Sequence, residues 1–292
     1  MQRLGLRWAT VIILLLTATS AHAEKSELQP ESMIFGVLPF MSHATLFERF
    51  SALRDFMSEI LGAPVEIETT KSFEEFIQRT DQGDYAIVYT APHFVVPALD
   101  SGLYDVVASP SAPLAAHILV RVQSAISTVK DLAGKRIAHP PENAFVTLVG
   151  KRLLAEKGLI NAARPQYFIQ QSHNAAYRAV LANDADGAII GTYAVAKALE
   201  EGMKVIDHTA QYPSTAFLIQ KRFGNEKYRK LKDAITSLHL TAQGQAILKA
   251  IDYSEFRASN PRDYDELRPL WEAIKNEAIR AEASKPMEKR TP

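Results

Sequence analysis

The amino-acid sequence predicts an α/β protein of two doubly wound α/β lobes joined by a two-strand hinge. Three observations carry that prediction. Short apolar strands alternate with amphipathic helices along most of the 292 residues, which argues for open, mostly parallel sheets covered by helices on both faces. At roughly 150 residues per domain the length suggests about two domains, and the 47% hydrophobic content can supply a large core. Two strand-like segments, near residues 114–122 and 214–223, bracket a middle block. The block at 117–214 then forms one lobe, the flanking parts at 31–116 and 215–280 form the other, and the two crossings make the hinge.

Residues 1–23 have the layout of a cleaved export signal, with Arg3 and Arg7 ahead of the apolar run "WATVIILLLTAT" and the small-residue site Ala21-His22-Ala23. That run is too short to span a bilayer. Basic and acidic side chains balance at 33 each over the whole chain, so loss of the two arginines leaves a slightly acidic protein. Charge therefore excludes a nucleic-acid binder and a membrane-surface binder. The chain has no cysteine, which removes disulfides, thiol nucleophiles, cysteine metal sites and the acylated cysteine of a bacterial lipoprotein. These features predict a free periplasmic protein.

After a polar lead, "MIFGVLPF" reads as an apolar strand. The helix that follows has Leu46, Phe50, Leu53, Met57 and Ile60 at three- and four-residue spacing and Gly62 as its stop. "VEIET" is an alternating strand, and Ser72 with Glu75 makes a capping box for the next helix. "DYAIVYT" is a strand, "PHFVVPALDSG" a short helix. The pattern continues through "YDVVASP", "LAAHILVRV", "GKRIAH", "AFVTLVGKRLLAEKG", "QYFIQ", "NAAYRAVLAN", "DGAIIG", "TYAVAKALEEG" and "KVIDH". Asn225 to Ile279 is mostly helical, and 281–292 is a charged tail.

In open α/β sheets ligands bind beyond the carboxyl ends of the strands, where helix N-termini offer free N–H groups. The turns at those ends carry Met41, Ser42 and His43; Tyr89, Thr90 and His93; His139, Glu142, Asn143 and Phe145; Ser172 and His173; and Thr192 and Tyr193. Any one of Ser42, Asn143 or Ser172 also reads as an ordinary N-cap. It is the convergence of several turns on one rim that points to a site. His117, His208 and His239 read as structural or solvent-facing.

These segments together resemble the phosphate/phosphite/phosphonate family of ABC-transporter substrate-binding proteins, with the type II periplasmic binding protein fold. The resemblance runs from about Ile34 to about Trp271. It rests on "FGVLPF", "GDYAIVYTAPHFV", "DLAGKRIAHPPENAFVTLVGKRLLAEKG", "QSHNAAYRAVLANDADGAIIGTYAV" and "LKAIDYSEFRASNPRDYDELRPL". It implies a clamp that captures a small anion between two lobes and delivers it to a membrane permease. It also implies that Tyr89 and His173 hold the head group, with a serine-threonine-serine run that falls here on Asn143, Ala144 and Phe145.

That run is lost in this chain. Each missing hydroxyl would have supplied a hydrogen bond to a charged acceptor, a contribution of about 1.5 to 3 kcal/mol. Glu142 adds a carboxylate that could occupy the anion site or repel a dianion. Ser214 stands where phosphonate binders that hold an amine carry an acid. With Phe145, Tyr89 and Tyr193 near the cleft, the expected ligand is a small organic or phosphonate-like anion with an apolar part, and phosphate and simple phosphonates are expected to bind poorly.

Other readings use the same residues. A periplasmic sensor whose closed form engages a membrane kinase or cyclase needs the same clamp. Metal capture would use His43, His93, His139 or His173 with Glu142, but these show no fixed ligand spacing. An enzyme is disfavoured, because no G-x-S-x-G and no glycine-rich phosphate loop is present. No cofactor and no resident metal are expected.

Overall fold

The computed structural model describes residues 32–283. The expected export signal, 1–23, and residues 284–292 of the expected charged tail lie outside them. β1 (Met33–Val37) leads into α1 (His43–Leu61), β2 (Val65–Glu68) into α2 (Phe73–Gln82), and β3 (Ile87–Thr90) into α3 (Pro92–Asp100). β4 (Tyr104–Pro110) passes to β5 (Ala116–Arg121) with no helix between them. Then come β6 (Arg136–His139), α4 (Phe145–Glu156), β7 (Gln166–Ile169), α5 (His173–Leu181), β8 (Gly187–Gly191), α6 (Thr192–Glu200) and β9 (Met203–His208). β10 (Ala216–Gln220), α7 (Gly224–Thr236), α8 (Ala242–Ala250), β11 (Phe256–Ala258) and α9 (Arg268–Ala283) complete the described chain.

Two sheets result, one ordered β11-β4-β10-β3-β1-β2 and the other β7-β6-β8-β5-β9. Neither is wholly parallel. β1 is parallel to β2 and β3, and β6 to β7 and β8, but β10 is antiparallel to β3 and β4, and β5 to β8 and β9. The route of the chain gives the reason. β4 and β9 each end at the junction of the two sheets and cross to the other one, so the strands they feed, β5 and β10, must run away from that junction. The crossings touch at one antiparallel bridge, where Leu114 N–H donates to the Tyr212 carbonyl at 2.9 Å and Tyr212 N–H returns a bond to Leu114 at 2.8 Å.

Apolar spacing decides which face each helix buries. α1 packs Leu46, Phe50, Leu53, Met57 and Leu61 on one face of the first sheet. Leu61 rather than Ile60 completes the stripe, one turn beyond Met57. α7 and α8 share that face through Leu231, Ile235, Ile247 and Leu248. α2 and α3 cover the opposite face. The second sheet is held between α4 on one side and α5 with α6 on the other. Gly150 in α4 sets the closeness of that packing, since a Cβ there would lie 2.5 Å from Ile189 Cγ2. A mid-helix glycine costs about 0.5–1 kcal/mol relative to alanine; here it lets the middle of α4 sit directly over β8. One buried cluster runs without a break from Phe94 and Val95 of α3 to Phe145, Val146 and Val149 of α4, so the two sheets share apolar packing across their junction.

Candidate ligand-binding cleft

The parallel strands β1 and β3 and, in the second sheet, β6, β7 and β8 direct their carboxyl ends toward the junction, and α1, α3, α4, α5 and α6 begin at those ends. These helices are not finished alike. α1 is capped by Ser42, whose Oγ accepts from Thr45 N–H at 3.3 Å, and α5 by Ser172, which accepts from Ala175 N–H at 3.1 Å. The N-cap positions of α3, α4 and α6 are Ala91, Ala144 and Gly191, and no side chain takes up the N–H groups of their first turns. Four N–H groups at a helix start have no intrahelical acceptor. Main-chain carbonyls take some of these donors, Ala115 that of Thr192, Ala144 that of Thr147 and Ala91 that of Phe94, and Pro92 has none. Phe145 and Val146 of α4 and Tyr193 and Ala194 of α6 remain, with the positive ends of the helix dipoles facing the junction.

His173 has the clearest chemistry in this region. The Gly191 N–H donates to its Nδ1 at 2.8 Å, so the neutral ring must carry its proton on Nε2. Burial pushes the ring pKa down to about 4, which keeps it neutral. Nε2–H makes no hydrogen bond among the described residues, and the ring lies 4.7 Å from that of the exposed Tyr193. Gly191 permits this approach, because a Cβ there would come within 3.1 Å of the imidazole. The result is a fixed, uncharged donor beside the α6 start.

Tyr89 is fully buried, and its ring sits among Phe50, Phe217 and Tyr253. Its hydroxyl meets Thr215 Oγ1 at 2.6 Å, and Thr215 Oγ1 lies 3.4 Å from the Tyr253 hydroxyl. Thr215 and Tyr253 were not among the sequence candidates, although Thr215 follows Ser214 and Tyr253 lies in the closing "AIDYSEF" stretch.

The other candidates are dispersed. Thr90 turns away to the α2–α3 interface beside Phe76, Thr80 and Pro97, because neighbours on a strand face opposite sides and Tyr89 takes the other one. Phe145 is 3% exposed and packs against His93 and Tyr212, with ring separations of 5.6 and 5.2 Å, so it seals the seam between the lobes. Thr192 Oγ1 accepts from Ala115 N–H at 2.9 Å. Ser214 is buried, and its carbonyl accepts from the Tyr264 hydroxyl at 3.2 Å. Met41 packs against the α1 side of the core, and His43 Nε2–H donates to the Thr70 carbonyl at 3.1 Å.

Glu142 and Asn143 each find a partner. Both Glu142 oxygens accept from Lys151 Nζ, at 2.8 and 2.6 Å, and the carboxylate lines a groove of about 700 Å³ between α4 and α9. Its charge is thus matched by a lysine. Asn143 does not cap α4. It precedes the N-cap and donates from Nδ2 to Glu74 Oε1 of α2 at 2.7 Å, a bond between the two lobes. Of the proposed capping box at α2, only the Ser72 half forms, with Glu75 Oε2 accepting from Lys71 N–H instead. Among the described residues no three histidine, aspartate or glutamate side chains gather as a metal site would require.

This geometry meets its relatives in known proteins. A family profile for the periplasmic substrate-binding protein of phosphonate ABC transporters matches residues 35–264. Among solved structures, PhnD1 of Prochlorococcus marinus in complex with methylphosphonate is 16% identical, with a TM-score of 0.73 covering 84% of this chain and 99% of that one. A binding-protein component of a phosphonate ABC transporter from Pseudomonas aeruginosa is 18% identical, with a TM-score of 0.68 over 89% and 92% of the two chains. The aliphatic sulphonate binding protein SsuA of Escherichia coli is 15% identical, with a TM-score of 0.58 over 86% and 94%. At these identities the likeness establishes the two-lobed periplasmic binding fold.

Proposed function

This chain belongs to the family of periplasmic substrate-binding proteins of phosphonate ABC transporters, and on that premise we propose a ligand and a set of contacts for it. As a member it is the substrate-binding component of an importer, which binds a small molecule in the periplasm and passes it to a membrane permease. It binds rather than catalyses. The proposed ligand is a small organic anion, phosphonate-like, with an apolar substituent. Its head group is held by the free N–H groups of α4 and α6 and by His173 Nε2–H, and its substituent lies toward Tyr193 and toward Phe40, an exposed ring in the β1–α1 turn 6.3 Å from that of Tyr89.

The observation that carries this reading is the fixed tautomer of His173 beside two bare helix starts. Main-chain donors there stand in for the hydroxyl run that Asn143, Ala144 and Phe145 lack. The lobes are 31–116 with 215–280, and 117–214, closing about the Leu114–Tyr212 bridge. Export uses the signal at 1–23, and the protein is free rather than acylated, since the chain has no cysteine to acylate.

A thermal-shift screen with phosphate, methylphosphonate, phenylphosphonate, butylsulfonate and benzoate tests the reading, because a ligand of the folded form raises the melting temperature by mass action. Phenylphosphonate should give a larger shift than methylphosphonate, and phosphate none. A largest shift with phosphate would overturn the apolar substituent, and no shift with any of the five would overturn the anion site.

A further inference from the structure

His93 is the second residue of α3, and its side chain is 0% exposed. Neither Nδ1 nor Nε2 makes a hydrogen bond among the described residues. A buried polar group left without a partner costs about 1–3 kcal/mol. Phe or Leu would fill the same apolar space at no such cost, so the imidazole needs a reason to be there. Its walls come from both lobes. Phe94 of α3 lies at 3.8 Å between ring centres and Phe145 of α4 at 5.6 Å, and the Asn143 main chain lies beside the ring without completing a hydrogen bond. When the lobes part, Asn143 and Phe145 leave with the second lobe, and His93 meets water.

We propose that His93 is a positioning residue for ligand capture: it seats the β6–α4 loop against the first lobe as the lobes close, and so links capture to pH. The inference rests on the closing clamp described above. Burial with little compensation pushes the ring pKa down to about 3 in the closed form, whereas an exposed histidine titrates near about 6.5. Closure is therefore favoured above pH 6.5 and must expel a proton below it, at a cost of about tenfold per pH unit.

The charged groups on the surrounding elements do not offset this. Glu74 of α2 is held by Asn143, and Glu142 of the β6–α4 loop by Lys151. Asp81 of α2 lies behind Thr90, beside Phe94. None of these pairs with the His93 ring among the described residues. His173 titrates within the second lobe, against Gly191, and its contribution is common to every variant below.

The test is calorimetric titration of the full protein with phenylphosphonate at pH 7.5 and 5.5. His93→Gln keeps a polar side chain beside the Asn143 main chain and cannot titrate; His93→Phe keeps a ring against Phe145 and carries no polar atom. Wild type should lose about tenfold more affinity between the two pH values than either variant does. At pH 7.5, where the ring is neutral and makes no hydrogen bond, both variants should bind within about threefold of wild type. Equal pH ratios for wild type and His93→Gln would overturn the role of His93 while leaving the clamp intact. Failure of wild type to bind any of the five screened compounds would instead overturn the reading of the cleft on which the inference rests.

Discussion

Two helix starts in the second lobe, α4 and α5, follow neighbouring parallel strands and end in opposite ways. α5 begins with Ser172, whose hydroxyl accepts from the Ala175 N–H, so part of its first turn is already satisfied within the protein. α4 begins with Ala144, which offers no side-chain acceptor; Thr147 N–H turns back to the Ala144 carbonyl, and the N–H groups of Phe145 and Val146 stay available. The contrast repeats across the molecule, with Ser42, Ser72 and Thr241 capping α1, α2 and α8 while Ala91 and Gly191 leave α3 and α6 bare. In this chain a hydroxyl at a helix start is thus a poor marker of a ligand contact, because it takes up a donor that a ligand would otherwise use. The absence of a hydroxyl is the better marker, provided the start faces the other lobe.

The largest effect should come from giving α4 the cap it lacks. The Ala144 backbone has φ −70° and ψ 133°, extended geometry suited to an N-cap. Ala144→Asp should place a carboxylate on the donors of the first turn, where the ligand's head group is proposed to lie. Stability should rise by about 0.5–2 kcal/mol, as for other good N-caps. Affinity should fall by at least about a hundredfold, the weight of one or two charge-assisted hydrogen bonds. Thermal melting and phenylphosphonate titration measure both, and their opposite signs give the test its force. A more stable variant that still binds tightly would remove the α4 start from the site.

Next in size is His173→Ala. The ring offers one neutral donor, and its loss should weaken binding by about ten- to a hundredfold. Nδ1 meets only a main-chain N–H, and the residue lies at the rim, so the fold should survive with a melting temperature a few degrees lower. Collapse of the fold would give His173 a core role instead.

Much of this architecture is legible in the sequence, and the reasons are local. Leu46, Phe50, Leu53 and Met57 recur at helical spacing and are all buried, and Gly62 ends α1 in the left-handed conformation at φ 61°. Strand-to-helix alternation gives the turns that carry the site. Side-chain direction is less legible. Thr90 follows Tyr89 on one strand and must face the other way. Phe145 reads as a cleft residue, yet contacts from distant α3 and the second crossing draw it into the seam. Glu142 reads as a threat to an anion until Lys151, nine residues on, brings its ammonium to the carboxylate. Each of these outcomes depends on tertiary neighbours that no spacing rule supplies.

The smallest effect should be that of Ser172→Ala, and it bears most directly on the contrast between the two starts. Loss of the cap should cost about 1 kcal/mol, which is a few degrees of melting temperature for a chain of this size. Affinity should change by less than about threefold, because the Ser172 hydroxyl is engaged with Ala175 and not with the ligand. Loosening the α5 start could shift His173, its immediate neighbour, but the Gly191 N–H anchors that ring independently of the cap. The two positions should therefore separate cleanly, Ser172 in stability and His173 in affinity. If Ser172→Ala weakens phenylphosphonate as much as His173→Ala does, the hydroxyl is itself a ligand contact, and a capped start can serve the site as well as a bare one.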